Sequence, residues 1–439
     1  GMFQGMGKDT ITLNSEWGFE PMEISHVIIS HAHIDHIGLL PKLVKDGYKG
    51  KIFCTPATAS LAKLLLLDSA HIQEADVKYV NKQRKKENRP PVEALYTEED
   101  AMNVFPLFET IPYNEHFKVT EGVELTYTDC GHILGSAAVN LKIRENKKDI
   151  RVTFSGDIGR YRDMLLKSPQ EFPQADYIIM ESTYGDKLHE LVTEAVDKLL
   201  RTIEETCKQN KGKLIIPAFS LGRTQEILYL LNRLELENRL PKLNYYVDSP
   251  LSVKITHTVK KYPDHFNGNV QNLLRIDEDV FQFHGLKYIE SVEESMALND
   301  SKEPCVIISA SGMAEAGRVK HHIAHNISDG RNTILFTGYC EPNSLGGKLK
   351  KQPSDVKIFG MTHIVKAAVT EISSLSAHGD YEDMSQWLAC QDPRAVKKIF
   401  LVHGEYDVQL AFQQRLIRKG FLDVKVPALH QEIGLGKME

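Results

Sequence analysis

The stretch HAHIDH, residues His31–His36, decides the fold. It directly follows an apolar, β-branched run, His26–Ser30, which predicts a buried strand. Four imidazole and carboxylate groups within six residues pack poorly, whereas a tight turn can direct them at two points in space. Imidazole and carboxylate together are typical ligands of zinc and, less specifically, of manganese or iron. The stretch therefore predicts a metal site at the end of a strand.

Three more polar residues occupy similar positions. His132 lies in the glycine-containing stretch CGHILGS, and Asp157 and His403 each follow a run that predicts a strand. Taken singly, each of them would more often be a hydrogen-bonded turn residue. Together with HAHIDH they bring the candidate ligands to seven, which is enough for two metal ions that share one carboxylate.

The composition restricts the class of protein. With 439 residues, 42% hydrophobic and 26% charged, the chain is long enough for two or three globular domains. No long apolar run predicts a membrane span, and the N-terminal stretch lacks the pattern of a secretion signal. The six scattered cysteines form no CxxC pair, which favours a reducing cytoplasm over a disulfide scaffold. With a net charge of −6, any polyanion must be held by a local patch.

Short apolar runs alternate with helical patterns along much of the chain. Between about residues 185 and 366 the order is helix then strand, repeated, which favours a parallel sheet covered by helices. The predicted strands are His26–Ser30, Arg151–Phe154, Tyr177–Met180, Leu214–Pro217, Cys305–Ser309, Thr333–Phe336 and Lys398–Val402. The predicted helices are Leu191–Cys207, Arg223–Leu234 and Ala314–Ile327.

These motifs resemble the metallo-β-lactamase superfamily, and the later ones resemble its β-CASP branch. HAHIDH, GHILGS and SGD are similar to the superfamily motifs, while ESTYGD (Glu181–Asp186), SAHGD (Ser376–Asp380) and LVHGE (Leu401–Glu405) resemble motifs A, B and C of the branch. Three further segments also resemble the branch: Pro217–Leu228, Ser311–His322 and Phe336–Gly347. The pattern resembles that of bacterial and archaeal RNA-processing nucleases, akin to the endonuclease subunit of the cleavage and polyadenylation specificity factor.

The resemblance implies an α/β fold, a metallo-β-lactamase αβ/βα sandwich with an inserted β-CASP domain built on a mostly parallel sheet with flanking helices. We expect residues 1–187 and 367–439 to form the sandwich and residues 188–366 the insertion, with the active site in the cleft. Relatives carry several strands before the position of Gly1. We therefore expect these N-terminal strands, and an aspartate that supports a ligand, to be missing, which would weaken metal binding.

The resemblance also assigns the ligands of two zinc ions, with manganese or iron as alternatives. One ion is assigned to His31, His33 and His132. The other is assigned to Asp35, His36 and His403, and Asp157 is expected to bridge the two.

Catalytic roles follow from the same resemblance. A hydroxide between two cations is a nucleophile at neutral pH, and Asp35 can help to hold it. His378 is expected to protonate the leaving oxygen as general acid, and Glu181 to orient the imidazole and raise its basicity. Their plainer alternatives are an exposed turn glutamate for Glu181 and a capping or core histidine for His378, since Ser376 and Asp380 are both plausible helix N-caps.

Two sets of residues are candidates for contact with the substrate. Ser220, Arg223, Ser311 and Arg318 lie at glycine-rich helix starts and could bind phosphates, although internal ion pairs and caps would explain them nearly as well. The basic stretch Lys82–Lys86, followed by Arg89, is interpreted as a solvated surface loop, with an RNA-contacting patch as the alternative.

The sequence thus predicts a cytoplasmic, zinc-dependent ribonuclease. Its expected partner is RNA, and no association with a membrane is expected; whether it forms a homodimer is left open. Endonuclease activity is expected, with 5′ exonuclease activity also open, and neither the RNA target nor the native metal follows from the sequence. One alternative is a small-molecule hydrolase of the same superfamily, which would need neither His378 nor the insertion. The other is a non-catalytic scaffold subunit, against which the complete ligand set argues.

Overall fold

The segment from His189 to Ala377 forms a unit of its own within the chain. The computed structural model describes residues 1–3, 10–189, 192–372 and 375–435. The first unit comprises Gly1–Leu188 and His378–Glu439, and the second comprises His189–Ala377. The second boundary lies beyond the residue 366 derived from the sequence, because Ala368–Glu371 is a strand of the second unit's sheet.

The regular elements are numbered in chain order. The α-helices are α1 Thr10–Ser15, α2 Ile34–Ile37, α3 Leu40–Lys45, α4 Pro56–Lys86, α5 Glu98–Val104, α6 Val192–Ile203, α7 Arg223–Leu236, α8 Pro250–Val259, α9 Gly268–Leu273, α10 Val292–Asp300, α11 Arg318–Asn326, α12 Leu345–Lys350, α13 Tyr381–Trp387 and α14 Tyr406–Arg418. The strands are β1 His26–Ile28, β2 Lys51–Cys54, β3 Phe108–Thr110, β4 Phe117–Thr120, β5 Val123–Asp129, β6 Ala137–Glu145, β7 Lys148–Phe154, β8 Tyr177–Glu181, β9 Lys213–Pro217, β10 Asn244–Val247, β11 Leu286–Tyr288, β12 Cys305–Ser309, β13 Thr333–Phe336, β14 Asp355–Ile358, β15 Met361–Ile364, β16 Ala368–Glu371, β17 Lys398–Val402 and β18 Val424–Lys425.

The first unit contains two sheets. A three-stranded parallel sheet has the order β1-β2-β3, and a seven-stranded mixed sheet has the order β18-β17-β8-β7-β6-β5-β4. Within the larger sheet, β7, β8 and β17 run parallel, so their carboxyl ends lie side by side at one edge. A backbone hydrogen bond from Ala137 to the Ser30 carbonyl (2.8 Å) ties the end of β6 to the segment that follows β1. This arrangement gathers the predicted ligands at one place.

Helices α13 and α14 pack on the parallel part of that sheet. Trp387 of α13 and Phe412 of α14 are fully buried, and Trp387 stacks on Phe172 with ring centroids 4.1 Å apart. Truncating a buried aromatic side chain of this kind typically costs about 3–5 kcal/mol. The C-terminal segment is therefore an integral part of the first unit's core, and this packing holds in place β17, the strand that directly precedes His403.

The second unit is built on a six-stranded, all-parallel sheet of order β11-β10-β12-β9-β13-β16, beside which β14 and β15 form an antiparallel hairpin. Strands β9, β12 and β13 are buried throughout, as expected of parallel strands covered on both faces. The mostly parallel sheet predicted from the helix–strand alternation is confirmed.

Some predicted elements differ from the structure. The helix expected over Ala314–Ile327 begins only at Arg318, because the preceding residues form turns and Gly317 has a φ of +78°. The helix expected over Leu191–Cys207 is α6 followed by a π-helical turn, Glu204–Gln209, and Leu191 lies outside the described residues.

The basic stretch Lys82–Lys86 is not a loop, which corrects the interpretation made from its polarity. It is the last turn of α4, a helix of 31 residues. Lysine, arginine and glutamine are good helix formers, and Pro90-Pro91 lies beyond the helix end rather than within it. Among the described residues, no helix combines the length and apolar character needed to cross a membrane.

Candidate metal centre

The HAHIDH stretch divides its ligands between two backbone conformations. His31 and His33 lie in irregular chain after β1, and His33 is the N-cap of the short helix α2 (φ −61°, ψ 147°). Asp35 and His36 lie within that helix, so their side chains leave the backbone in another direction. The change of conformation lets one short stretch contribute side chains to two neighbouring groups of candidate ligands.

His132 lies on a turn whose backbone depends on glycine. Gly131 and Gly135 have φ angles of +62° and +84°, in the left-handed region that favours glycine. A Cβ on Gly135 would lie 2.7 Å from the backbone nitrogen of Thr58. The hydroxyls of Thr55 and Thr58 donate to the Gly135 carbonyl at 2.7 and 2.9 Å, which fixes the start of α4 against this turn.

Asp157, Glu181 and His403 come from the three neighbouring parallel strands. Glu181 ends β8 and pairs in register with Val402 of β17, so His403 lies immediately beyond it. Asp157 follows β7 on the other side of β8. Because parallel strands end at the same edge of a sheet, three residues far apart in sequence meet there.

The first ligand group consists of His31, His33, His132 and Asp157, whose donor atoms all lie within 4.8 Å of one another. The Nε2 atoms of His31 and His132 lie 3.3 and 3.5 Å from Asp157 Oδ2. His33 Nδ1 lies 3.1 Å from His132 Nε2. Three imidazoles and one carboxylate form a suitable donor set for zinc.

The second group consists of Asp35, His36, Asp157 and His403, again within 4.8 Å. His36 Nε2 lies 3.3 Å from Asp157 Oδ1, and His403 Nε2 lies 3.2 Å from Asp35 Oδ2. The other ring nitrogen of His403 lies 3.7 Å from Asp157 Oδ1. Asp157 thus turns Oδ2 towards the first group and Oδ1 towards the second, so its carboxylate belongs to both groups.

Unpaired buried atoms show that this donor set fits cations. Of the eleven buried side-chain atoms without a hydrogen-bond partner among the described residues, five belong to candidate ligands: His31 Nε2, His36 Nε2, His132 Nδ1 and both carboxylate oxygens of Asp157. An unsatisfied buried polar group typically costs about 1–3 kcal/mol, so a cluster of them calls for an occupant. A cation in each group would satisfy atoms that the protein itself leaves unpaired.

The protonation states of the candidate ligands also favour the binding of cations. Burial lowers the pKa of His31 and His132 and lowers the pKa of His33 to about 3, so these rings are neutral and carry a lone pair for a metal. Burial opposes ionisation of Asp157, but the neighbouring imidazoles, His403 and His36 foremost, hold the pKa of its carboxyl well below the ordinary range. The central carboxylate is therefore charged.

Glu181 and His378 form a pair beside the two groups. His378 Nδ1 lies 3.2 Å from each carboxylate oxygen of Glu181, which is fully buried. Glu181 also accepts hydrogen bonds from the backbone nitrogens of Ile158 (2.5 Å) and Thr183 (3.3 Å). Burial alone would lower the pKa of His378, but the Glu181 carboxylate outweighs it and raises that pKa above the ordinary value.

His378 is close enough to be considered as a ligand as well. Glu181, His378 and His403 also have donor atoms within 4.8 Å of one another, and His378 Nδ1 lies 4.0 Å from Asp157 Oδ2. Its Nδ1, however, is directed at the Glu181 carboxylate. The N-cap alternative raised for this motif belongs to Asp380, whose side chain caps α13.

Two residues that the sequence did not single out support ligands. Ser30 Oγ lies 3.2 Å from His31 Nδ1, and Thr183 Oγ1 lies 3.0 Å from His403 Nδ1 while also donating to the His403 carbonyl at 3.1 Å. Such bonds fix the ring orientation of metal ligands. The available signal was adjacency, because Ser30 precedes a ligand and Thr183 lies inside the ESTYGD motif.

The four residues suggested for phosphate contact belong to the second unit, and the side chains of Arg223, Ser311 and Arg318 already have internal partners. Arg223 pairs with Glu226, three positions along α7. Arg318 donates to Asp248 Oδ1 at 2.6 Å and to the Glu290 carbonyl at 2.7 Å. Ser311 Oγ donates to the Ala316 carbonyl at 3.3 Å, and the Ser220 carbonyl accepts from the Gln225 side chain at 3.1 Å. For both arginines the structure shows the internal ion pair that was the alternative.

The chain matches three family models: the metallo-beta-lactamase superfamily domain over residues 7–178, the Beta-Casp domain over residues 224–349 and the Zn-dependent metallo-hydrolase RNA specificity domain over residues 362–427. The chain belongs to the β-CASP branch of the metallo-β-lactamase superfamily, a branch of metal-dependent hydrolases. The fold class predicted from the motifs is confirmed.

Its curated relatives include nucleases. The chain is 32% identical to Ribonuclease TTHA0252 of Thermus thermophilus, over 96% of this chain and 90% of that protein. It is 30% identical to an RNase J-like protein of Methanocaldococcus jannaschii, over 89% and 83% respectively. It is 27% identical to cleavage and polyadenylation specificity factor 73 of Drosophila melanogaster, of which it spans 56%.

Proposed function

We propose that this protein is a zinc-dependent ribonuclease that hydrolyses phosphodiester bonds of RNA. The carrying observation is that the fully buried carboxylate of Glu181 contacts the half-buried imidazole of His378 beside two histidine groups that share Asp157. A relative that is 32% identical over 96% of this chain is named a ribonuclease, which supports RNA as the substrate.

Seven side chains would hold two divalent cations, with zinc preferred for the imidazole-rich donor set. The residues are His31, His33 and His132 for one, Asp35, His36 and His403 for the other, and Asp157 for both. When bound, such cations acidify water and stabilise the negative charge of the transition state.

The other steps fall to the protein's own residues. Asp35, whose Oδ2 lies next to His403, accepts a hydrogen bond from the attacking water and orients it. His378 transfers its proton to the departing ribose oxygen, which cannot leave readily as an alkoxide. Glu181 fixes the proton on Nδ1 and turns Nε2 to the substrate, so that the same ring can donate and then be reprotonated from solvent.

The small-molecule hydrolase remains the second enzymatic candidate, and the Glu181–His378 pair disfavours it. A thioester hydrolase releases a thiolate, which needs little help from an acid, whereas a ribose alkoxide needs a proton. A scaffold subunit is disfavoured by the unpaired donor atoms of His31, His36 and Asp157, which have no evident structural purpose.

Product mapping tests the proposal and settles the mode of cleavage. RNA labelled at the 5′ or the 3′ end would be incubated with zinc- or manganese-loaded protein, in parallel with a β-lactam and a thioester. We expect RNA fragments and no turnover of the small molecules. Turnover of a small molecule with RNA intact would overturn the proposal, and the fragment pattern separates internal cleavage from 5′ trimming.

A further inference from the structure

We propose that the distal end of helix α4 is a second RNA-contacting surface, which grips the backbone of a long substrate far from the metal centre. The surface consists of the basic stripe, defined as Lys78, Lys82, Lys85 and Lys86, together with Tyr79. This inference rests on the proposed ribonuclease function, because it assigns a further role to the same substrate.

The position of the stripe along α4 sets its distance from the metal centre. The first turn of the helix is fixed to the turn that carries His132, through Thr55 and Thr58. Lys78 lies 22 positions after Pro56, where the helix starts. At a rise of 1.5 Å per residue the stripe begins roughly 33 Å along the helix. Contacts made there would reach nucleotides outside the reacting bond.

The distal half of α4 is exposed yet well held. From His71 onwards the residues of α4 are exposed or half-buried. One face of the helix is contacted by the segment that follows it, which includes Pro90 and Val92. Asn81 exchanges two 2.8 Å hydrogen bonds with the backbone of Val92, and Arg84 Nε donates to the Pro90 carbonyl at 2.6 Å. The helix therefore extends as a supported arm, whose uncovered face is available to a partner.

The uncovered face of α4 is basic because four lysines lie on it. Residues spaced three, four or seven apart share one side of a helix, and Lys78, Lys82, Lys85 and Lys86 follow that spacing. All four are exposed, and among the described residues none of them forms an ion pair. The neighbouring Glu87 is engaged by Arg89 at 3.3 Å, and Glu74 accepts from the Glu98 nitrogen. Four unneutralised cations remain in a chain of net charge −6.

Tyr79 identifies nucleic acid as the occupant. Its side chain is 67% exposed and follows directly on Lys78 along the rim of the stripe. A row of lysines that contacts phosphates, with an aromatic ring on which a base can stack, is the combination used for single strands. An anionic membrane or an acidic protein would also meet the lysines, so the experiment includes both as outcomes.

The experiment compares a long and a short substrate. The stripe variant carries Lys78→Gln, Lys82→Gln, Lys85→Gln and Lys86→Gln, which keep helix propensity and remove four charges. The matched control removes four other exposed lysines of the first unit: Lys49→Gln, Lys118→Gln, Lys148→Gln and Lys419→Gln. Cleavage would be measured on a long oligouridylate and on a trinucleotide, which is too short to span the distance to the stripe.

We expect the stripe variant to raise the KM for the long RNA about tenfold or more and to leave trinucleotide cleavage unchanged. In a His378→Ala background, which slows cleavage, the salt dependence of long-RNA binding should flatten by about 0.7 for each lost phosphate contact. Tyr79→Ala should weaken binding about fivefold, while Tyr79→Phe should keep it.

Each contrary outcome has a distinct meaning. Equal effects of the stripe and control variants on long RNA would contradict the proposal that the stripe contacts RNA. An unchanged salt dependence of long-RNA binding in the stripe variant would contradict it as well. If the stripe variant instead lost binding to vesicles of anionic phospholipid, or to polyglutamate, and kept its binding to RNA, the surface would be assigned to a membrane or to an acidic protein. That result would also contradict the proposal. If the wild-type protein cleaved neither RNA, the proposed ribonuclease function would be contradicted. The measurement of long-RNA binding would still show whether the stripe contacts RNA.

Discussion

His378 Nδ1 lies 3.2 Å from both carboxylate oxygens of Glu181, and this contact joins residues that are 197 positions apart in the chain. Because Glu181 is fully buried and held by backbone donors, it fixes the imidazole in one orientation. The proposed division of labour depends on this pair, since it separates proton transfer from metal binding.

His378→Ala should therefore lower RNA cleavage without removing metal. General acid catalysis typically contributes roughly 10²- to 10⁴-fold, and we expect a loss of that size with the metal content nearly unchanged. Rates on RNA and elemental analysis of the same preparation would check this. If the variant lost its metal, His378 would be a ligand and the assigned mechanism would be wrong.

Glu181→Gln should give a smaller loss in the same direction, because it changes only the basicity and orientation of the imidazole. The double variant with His378→Ala should be no slower than His378→Ala alone, since both residues act through one proton. Single-turnover rates of the three variants form the required cycle. Multiplicative losses would mean that Glu181 acts independently of His378.

Asp157→Ala should behave differently and lose both metal and activity, because its two oxygens face the two ligand groups. Elemental analysis after zinc loading should approach two ions per wild-type chain and fall well below that in the variant. Asp163→Ala offers a control aspartate outside the centre and should keep both ions. Equal stoichiometry in wild type and Asp157→Ala would remove the bridging role.

Thr183→Val should weaken metal binding without abolishing it. The hydroxyl contacts His403 Nδ1 at 3.0 Å, and loss of such support typically lowers metal affinity roughly 10- to 100-fold. Competition with a zinc chelator would measure the affinity, and Thr183→Ser, which keeps the hydroxyl, should restore most of it. An unchanged affinity in Thr183→Val would show that Thr183 does not position the ring.

Asp129→Asn should stabilise the protein at alkaline pH. Burial raises the pKa of Asp129 to about 7, so the folded state holds its proton more tightly than the unfolded chain does. The wild type therefore loses stability as the pH rises from about 4 to about 7, and the penalty persists above that. Asparagine carries no charge and can still accept the bond from the Gly131 nitrogen (2.8 Å). The Tm gain should be largest at pH 8 and absent near pH 4; a gain independent of pH would contradict it.

The clustering of the candidate ligands could be predicted from the sequence because most of them follow closely on strands. HAHIDH begins within three residues of the end of β1, Asp157 and His403 lie within three residues of the ends of β7 and β17, and parallel strands end at a common edge. The contact of Ser30 is with its direct neighbour His31, but the sequence does not show whether a serine hydroxyl faces the adjacent ring. The supporting role of Thr183 was not predictable, since it depends on a contact with His403, which lies 220 positions away in the chain. Similarly, the second domain boundary depends on β16 pairing with β13, a non-local contact.

The basic end of α4 was misjudged for another reason. Polarity alone suggested a loop, although every residue from Lys82 to Lys86 is a good helix former. The helix continues because Asn81 and Arg84 donate side-chain hydrogen bonds to the backbone of Val92 and Pro90, in the segment that follows the helix. That support comes from residues beyond the stretch itself, and helical periodicity over the longer window would have been the better guide.

The most direct test of the account is metal-dependent cleavage of RNA labelled at both ends. Protein stripped of metal would be titrated with zinc while cleavage and bound metal are measured together, with Asp157→Ala in parallel. The account predicts no cleavage by the stripped protein and full activity only as the second ion per chain binds. Cleavage that persists without metal, or no cleavage when two ions are bound, would contradict it.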